Sequence, residues 1–334
     1  MIPVSIVTGF LGSGKTTLIR RLLRDPGFAR TAVIVNEWGE IGLDHELIAS
    51  SDETLVALTT GCLCCRMRSD LVTTLLDLER RRRGGEIPCY DRVLIETSGL
   101  ADPAPILQAL MADDAAAEGH AIDTVLTLVD AQHGAATLER RVEARRQVAL
   151  ADRLLLSKTD IAGRPEALMA RLAALNPEAV VREAVKGEIA PQALFTGGDP
   201  AVRAARLAAL AMPVADPFAR GRHAGSIETI TLERDQPIPA LALAMWVAAL
   251  AEHCGSRLLR LKGLVAVDEM PDAPAIIHAV QHVVSPPEWL PGWPSAERRT
   301  RIVIIGESLP RYFPVRLLNA IEEEVREATI SDER

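Results

Sequence analysis

A glycine-rich loop follows the first apolar run of the chain and constrains the fold more than any other segment. Residues 4–17 read VSIVTGFLGSGKTT and contain the pattern G-x-x-x-x-G-K-[ST], which extends from Gly9 to Thr16. Glycine lets the backbone approach a phosphate closely, and the N–H groups at the start of the following helix bind anions. The sequence therefore predicts a strand, a phosphate-binding loop and a helix, in that order.

We expect this loop to bind the phosphates of a nucleotide through backbone and side chains. Lys15 is expected to contact the β and γ phosphates, and Thr16 to supply a hydroxyl ligand to Mg²⁺. The other predicted contacts come from Gly9, Gly12, Ser13, Gly14 and Thr17. A chance match in a Gly/Ser turn is the alternative. The apolar strand before the loop and the apolar helix face at 18–23 favour nucleotide binding instead.

Length and charge limit the class of protein. A chain of 334 residues is too long for one ordinary core, so we predict a P-loop domain at 1–212, a linker at 213–224 and a C-terminal domain at 225–334. The net charge of −8 argues against nucleic acid as a partner. Neither a signal-peptide pattern nor an apolar run of membrane-spanning length is visible, so we expect a cytoplasmic protein without a membrane partner.

Apolar runs alternate with helical patterns through the predicted P-loop domain. After the first strand, further strands are expected at 31–35, 54–58, 92–95, 122–130 and 153–156. This alternation predicts a mostly parallel α/β sheet, whose ligands bind at the carboxyl ends of the strands. Beyond the linker, strands at 226–233, 258–267, 275–284 and 301–305 and helices at 239–254 and 314–328 predict a smaller α+β domain with a largely antiparallel sheet.

A second nucleotide motif follows the strand at 153–156. Residues 157–160 read SKTD, close to the N-K-x-D pattern that selects guanine in GTPases. The carboxylate of Asp160 can accept hydrogen bonds from guanine N1–H and the 2-amino group, and adenine offers no donor there. The stem of Lys158 can cover the face of the base. Ser157 replaces the usual Asn, but its hydroxyl can still tether the loop.

Two acidic residues end predicted strands at the same edge. Glu96 follows the strand at 92–95 and is expected to bind Mg²⁺, directly or through water, or to act in catalysis; a structural cap is the alternative. Glu37 follows the strand at 31–35 and can orient water, contact Mg²⁺ or bind a second metal. With Lys15, these residues are the predicted catalytic group.

Three cysteines fall within four positions, at Cys62, Cys64 and Cys65. Thiolates beside a helix start are suitable ligands for Zn²⁺, Co²⁺ or a similar ion. Three sulfurs leave a tetrahedral ion one ligand short, and Glu37, His45, water or a client protein can complete it. Small packed hydrophobes on a tight turn are the structural alternative.

The other cysteines and the histidines give weaker signals. An iron–sulfur cluster would need Cys89 or Cys254 as its fourth ligand, which makes it the less favoured alternative. His278 and His282 are expected on one face of one strand, at an interface or a secondary metal site, or as ordinary sheet residues. Surface or helix positions are expected for His120, His133 and His253.

Together these motifs resemble the CobW family of P-loop GTPases. The resemblance covers residues 9–17, 36–44, 61–65, 68–71, 96–103 and 157–160, and more weakly 259–263 and 301–306. It implies a slow GTPase and metallochaperone or insertase that binds the transported zinc or cobalt through Cys62, Cys64 and Cys65. The cargo would pass to a client protein as GTP becomes GDP. The histidine-rich tract of some members is missing here, which argues against metal storage.

Two other functions compete with this interpretation. A small-molecule kinase uses the same phosphate loop, but would tolerate loss of the three cysteines. A non-metal GTP-dependent switch would keep the cysteines only for packing. The motifs leave open the metal, the client, the water-activating residue and the oligomeric state, for which a homodimer is one option.

Overall fold

A computed structural model describes residues 1–36, 55–57, 64–163, 165–184, 189–191, 194–195, 205 and 227–332. The chain forms two compact units: Met1–Ala173 with Ala179–Gly198, and Ala174–Glu178 with Asp199–Arg334. The linker predicted at 213–224 lies outside the described residues, so its bounds stay a prediction.

The first unit is built on a seven-stranded parallel sheet. Its strands are β1 (Ile2–Gly9), β2 (Thr31–Asn36), β3 (Leu55–Ala57), β4 (Arg92–Thr97), β5 (His120–Asp130), β6 (Arg153–Ser157) and β7 (Val180–Ala184). Their spatial order is β3-β2-β4-β1-β5-β6-β7, with parallel pairing at every step. All carboxyl ends therefore lie at one edge, which is where ligands bind in sheets of this type.

Helices connect these strands and supply part of the core. They are α1 (Lys15–Leu22), α2 (Cys64–Arg83), α3 (Ala104–Ala112), α4 (Asp114–Gly119), α5 (Gly134–Arg140), α6 (Val142–Leu150), α7 (Thr159–Ala162) and α8 (Glu166–Leu175). In α1, Leu18, Ile19 and Leu22 are buried on one face and pack with strand residues such as Val7 and Leu126. This packing fixes the helix that carries Lys15 and Thr16 directly behind the sheet edge.

The second unit is an antiparallel sheet with two long helices. Its strands are β8 (Ile227–Arg234), β9 (Leu258–Val265), β10 (Ala275–Val280), β11 (Val283–Val284), β12 (Glu288–Trp289) and β13 (Thr300–Glu307). The helices are α9 (Ala240–Cys254) and α10 (Phe313–Asp332). Trp246 of α9 is fully buried in this core, and its indole N–H donates to the Pro314 carbonyl oxygen over 2.8 Å. The predicted fold class, a P-loop α/β domain followed by an α+β domain, is confirmed.

The prediction of one continuous strand at 275–284 is wrong. Gln281 has a φ of 53°, which reverses the chain, and Val280 pairs with Val283 across the resulting hairpin. His278 therefore lies on β10, while His282 lies in the turn and shares no strand face with it. The alternating sequence concealed the turn because it contains no Gly, Pro or Asn, the residues that usually mark a reversal.

The expectation of a surface or helix position for His120 is also wrong. This residue starts β5, pairs with Ile2 and is 4% exposed. Burial lowers the pKa of its imidazole, so the folded protein favours the neutral ring. The strand β7 was likewise not expected from the sequence. Within the described part of the chain, no helix is both long and apolar enough to cross a membrane.

Glu79 near the end of α2 gives a testable pH dependence. Hydrogen bonds from Arg82, opposed by burial and reinforced by Arg83, lower its pKa from 4.5 to about 2. Because the folded state favours the carboxylate, the free energy of unfolding should fall as the pH drops from 4.5 towards 2. We expect wild type to lose about 1 to 2 kcal/mol more than Glu79→Gln over this window. Urea unfolding at both ends of the window measures the difference.

Asp77→Asn is the matched control for this measurement. Asp77 pairs with Arg80 on the same helix but is 46% exposed, so its ion pair should contribute little. If Glu79→Gln and wild type lost equal stability in acid, the assignment of this titration to Glu79 would be wrong.

Candidate functional site

The loop after β1 has a backbone that glycine makes possible. Gly9, Gly12 and Gly14 have φ values of 143°, 73° and 98°. These angles lie in the region that L-residues with a side chain rarely adopt. A Cβ on Gly9 would also collide with the Leu128 carbonyl oxygen of β5. The predicted phosphate loop therefore adopts a compact turn against the neighbouring strand.

Lys15 and Thr16 are the first residues of α1, and their side chains donate hydrogen bonds to the backbone before the loop's end and to β4. Lys15 is only 7% exposed, and its ammonium donates to the carbonyl oxygens of Gly9 at 2.9 Å and Phe10 at 3.4 Å. The Thr16 hydroxyl donates to Glu96 Oε1 at 2.8 Å. Glu96 lies near the end of β4 and is 2% exposed. The Lys15 ammonium, the Thr16 hydroxyl and the Glu96 carboxylate are therefore all placed beside the glycine turn. Thr17 is exposed in the first turn of α1.

The segment at 157–160 contacts the same loop. The Ser157 hydroxyl at the end of β6 donates to the Ser13 carbonyl oxygen at 2.7 Å. Lys158 has a φ of 60°, and its ammonium lies 2.7 Å from Asp130 Oδ2. Asp160 is exposed in the short helix α7, so its carboxylate is accessible to a ligand. The loop and the SKTD segment are therefore adjacent at the edge of the sheet.

Asp130 at the end of β5 is a site residue to which the sequence analysis assigned no role. Burial by itself would raise the pKa of its carboxyl, but hydrogen bonds from Lys158 and from the N–H groups of Gln132 and His133 lower it overall. The ionised carboxylate holds the Lys158 ammonium beside the loop. Its position at the end of a strand, on the ligand-binding edge, was the signal that identifies it.

Arg146 and Gln147 of α6 are two further residues without a sequence signal. Arg146 pairs with Asp102 at 3.1 Å, and the Gln147 side chain donates to the carbonyl oxygens of Gly99 and Ala101. Both contacts hold the segment that follows Glu96. They join positions far apart in the chain, and no local motif indicates them.

The predicted metal ligands are only partly within the described structure. Glu37, His45 and Cys62 lie outside the described residues. Cys64 and Cys65 form the first turn of α2, and β3 ends at Ala57, at the same edge as the glycine loop. Among the described residues, no group of three or more His, Cys, Asp or Glu side chains is placed to hold a metal ion.

The two remaining cysteines belong to different units. Cys89 is exposed, whereas Cys254 is packed in the core of the second unit. Burial raises the pKa of the Cys254 thiol, which disfavours the thiolate form that binds metal.

Comparisons with known proteins cover almost the whole chain. Residues 3–183 match the CobW/HypB/UreG nucleotide-binding domain, and residues 227–322 match the cobalamin synthesis protein cobW C-terminal domain. The zinc chaperone YjiA of Escherichia coli is 34% identical over 98% of this chain and 97% of its own length. A zinc-regulated GTPase metalloprotein activator 1 of Schizosaccharomyces pombe is 34% identical over 48% of this chain and 39% of its own length.

The fold comparison agrees with the sequence matches. The crystal structure of Zn(II)-bound YjiA GTPase superposes with a TM-score of 0.74 at 29% identity, covering 96% of this chain and 98% of that one. Both domains of the family are therefore matched in order along one chain. The protein belongs to the CobW family.

Proposed function

We propose that this protein is a slow GTPase that holds a transition metal in one nucleotide state and releases it to a client protein in the other. The observation that carries the proposal is the convergence of the motifs on one sheet edge. Glu96, near the end of β4, lies beside Thr16, and α2, which starts with Cys64 and Cys65, follows β3 in the chain. Only β2 separates β3 from β4 in the sheet, so the carboxyl ends of β3 and β4 are about 10 Å apart.

The nucleotide would occupy the glycine turn and the SKTD segment. Backbone N–H groups from Gly9 to Thr17 would bind phosphate oxygens, and the Lys15 ammonium would exchange its carbonyl partners for the β and γ phosphates. Asp160 would read guanine, and the Lys158 stem, held by Asp130, would cover the base. Ser157 would keep the base-reading segment in register with the loop through Ser13.

Mg²⁺ fits the oxygen groups at the end of β4. The Thr16 hydroxyl and the Glu96 carboxylate are hard ligands of the kind that Mg²⁺ prefers, and they already lie within hydrogen-bond distance of each other. When bound, the ion neutralises charge that develops on the phosphates during transfer. Glu37, which follows β2 in the sequence, would orient water or complete a metal site.

The cargo would be bound by Cys62, Cys64 and Cys65. Thiolates suit zinc and cobalt, and the relatives are named a zinc chaperone and a zinc-regulated GTPase. The γ-phosphate can order the segments after β2 and β4, and β2 is the strand that pairs with β3, which precedes the cysteine segment in the chain. The coupling is reciprocal: if GTP tightens zinc binding, zinc tightens GTP binding by the same factor.

Zinc affinity in the two nucleotide states tests this function. We expect Zn²⁺ to bind at least about tenfold more tightly with a non-hydrolysable GTP analogue than with GDP. Competition with a chromogenic chelator measures both affinities. Equal affinities would contradict the coupling.

Serine substitutions test the cysteine ligands. Cys62→Ser/Cys64→Ser/Cys65→Ser should abolish tight zinc binding, because a hydroxyl is a poor ligand for a soft ion. Cys89→Ser is the matched control, since Cys89 is an exposed cysteine outside the motif and its loss should leave zinc affinity unchanged. A triple variant that still bound zinc as wild type does would show that the ligands lie elsewhere.

A further inference from the structure

Gln147 connects α6 to the segment that follows Glu96. Its side chain is fully enclosed, with the residue 1% exposed. The amide nitrogen donates to two carbonyl oxygens of that segment, Gly99 at 3.2 Å and Ala101 at 3.0 Å. One amide group therefore holds the chain at two positions that are separated by a single residue.

The same segment is in direct contact with the glycine loop on its other side. A Cβ on Gly99 would lie 2.7 Å from the backbone nitrogen of Leu11, so glycine is required for this close approach. Thr97 is the last residue of β4 and directly precedes this segment, and its hydroxyl donates to Thr8 Oγ1 at 2.7 Å. The segment at 98–102 is thus held between the loop and Gln147.

Packing between α6 and the loop is incomplete. A cavity of about 240 Å³ lies between them, and its walls include Leu128, Leu138 and Val148 as well as loop residues 10–13. Gln147 itself is among the residues that line this cavity. The Gln147 Oε1 atom has no partner among the described residues, so the amide donors carry this residue's contribution.

We propose that Gln147 is a positioning residue for the hydrolysis of the nucleotide. Its amide holds Gly99 and Ala101 against Leu11, so that the segment after Glu96 meets the γ-phosphate at a fixed distance. Gln147 itself does not touch the phosphates. This inference rests on the proposed GTPase function, because a displaced segment lowers the rate of a step that depends on precise placement.

Gln147→Leu removes both donors and keeps the approximate volume. We expect kcat for GTP to fall about ten- to a hundredfold, with KM for GTP and the affinity for GDP within about twofold of wild type. Gln147→Met, a flexible side chain of similar length, serves as the second variant if the first does not fold. Single-turnover hydrolysis and GDP titration provide the rate and affinity.

Thr127→Val is the matched control. The Thr127 hydroxyl donates to the Gln147 carbonyl oxygen at 2.8 Å, and Thr127 is 1% exposed. The control therefore removes a buried hydrogen bond to the same residue without touching Gly99 or Ala101. Its stability should fall as much as that of Gln147→Leu, while its kcat stays unchanged. Equal losses of kcat in both variants, or none in Gln147→Leu, would overturn the positioning role.

Hydrogen exchange in the nucleotide-free protein separates this inference from the proposed function. The amides at 98–102 should exchange faster in Gln147→Leu than in wild type or Thr127→Val. Unchanged exchange would overturn the proposed contact whatever the enzyme hydrolyses. A wild type that bound nucleotide but hydrolysed no GTP would refute the GTPase proposal and with it the catalytic purpose of Gln147, even if exchange were accelerated.

Discussion

Lys15→Ala is expected to weaken the binding of both GTP and GDP by about 10²- to 10³-fold, because it removes charge-assisted hydrogen bonds to the phosphates. The ammonium is well prepared for this role. Lys15 is 7% exposed, and its ammonium is held over the glycine turn by the carbonyl oxygens of Gly9 and Phe10. Little conformational entropy is left to lose when phosphates replace those carbonyls. Titration with a fluorescent GDP analogue measures the affinity.

Lys262→Ala is the matched control for this loss. It removes another lysine, from β9 of the antiparallel sheet, and should leave GDP affinity within about twofold of wild type. Thermal unfolding of both variants without nucleotide checks that the fold persists. Should Lys15→Ala bind GDP within about threefold of wild type, the loop would not be the phosphate site.

Short-range features of the fold and site followed from the sequence. Gly9, Gly12 and Gly14 were identified because the phosphate-loop pattern spans eight consecutive positions, and each takes the positive φ that favours glycine. Continuous apolar runs gave the parallel strands, because a strand buried on both faces needs no polar alternation. Strand ends then located Glu96 and Ser157 at one edge.

Contacts between residues far apart in the sequence could not be predicted in this way. Lys158 meets Asp130 over 28 positions, and Gln147 meets Gly99 over 48. Each depends on the order in which strands and helices are placed in space, and no local spacing encodes that order. His120 was misplaced for the same reason. A polar residue at a strand start is usually exposed, but His120, which directly follows the end of α4, is buried.

Asp160 is expected to determine which base the protein binds. Its carboxylate accepts two hydrogen bonds from guanine in the proposed site, whereas the amide of Asn offers one acceptor and one donor. Xanthine carries a carbonyl oxygen in place of the 2-amino group, so it pairs with the amide. Asp160→Asn should therefore lower GTP affinity by about 10²-fold and raise xanthosine triphosphate affinity by about as much.

Asp160→Ala distinguishes a change of base preference from a general loss of nucleotide binding. It removes both acceptor oxygens and supplies no donor in their place, so GTP and xanthosine triphosphate should both bind weakly, and ATP should stay weak in every variant. Because Asp160 is exposed on α7, neither change should disturb the core. Competition against a fluorescent GDP analogue gives all the affinities. Two results together would contradict this role: Asp160→Asn with no gain in xanthosine triphosphate affinity, and Asp160→Ala with the GTP affinity of wild type. Another residue would then read the base, and the SKTD segment would serve only to tether the phosphate loop through Ser157.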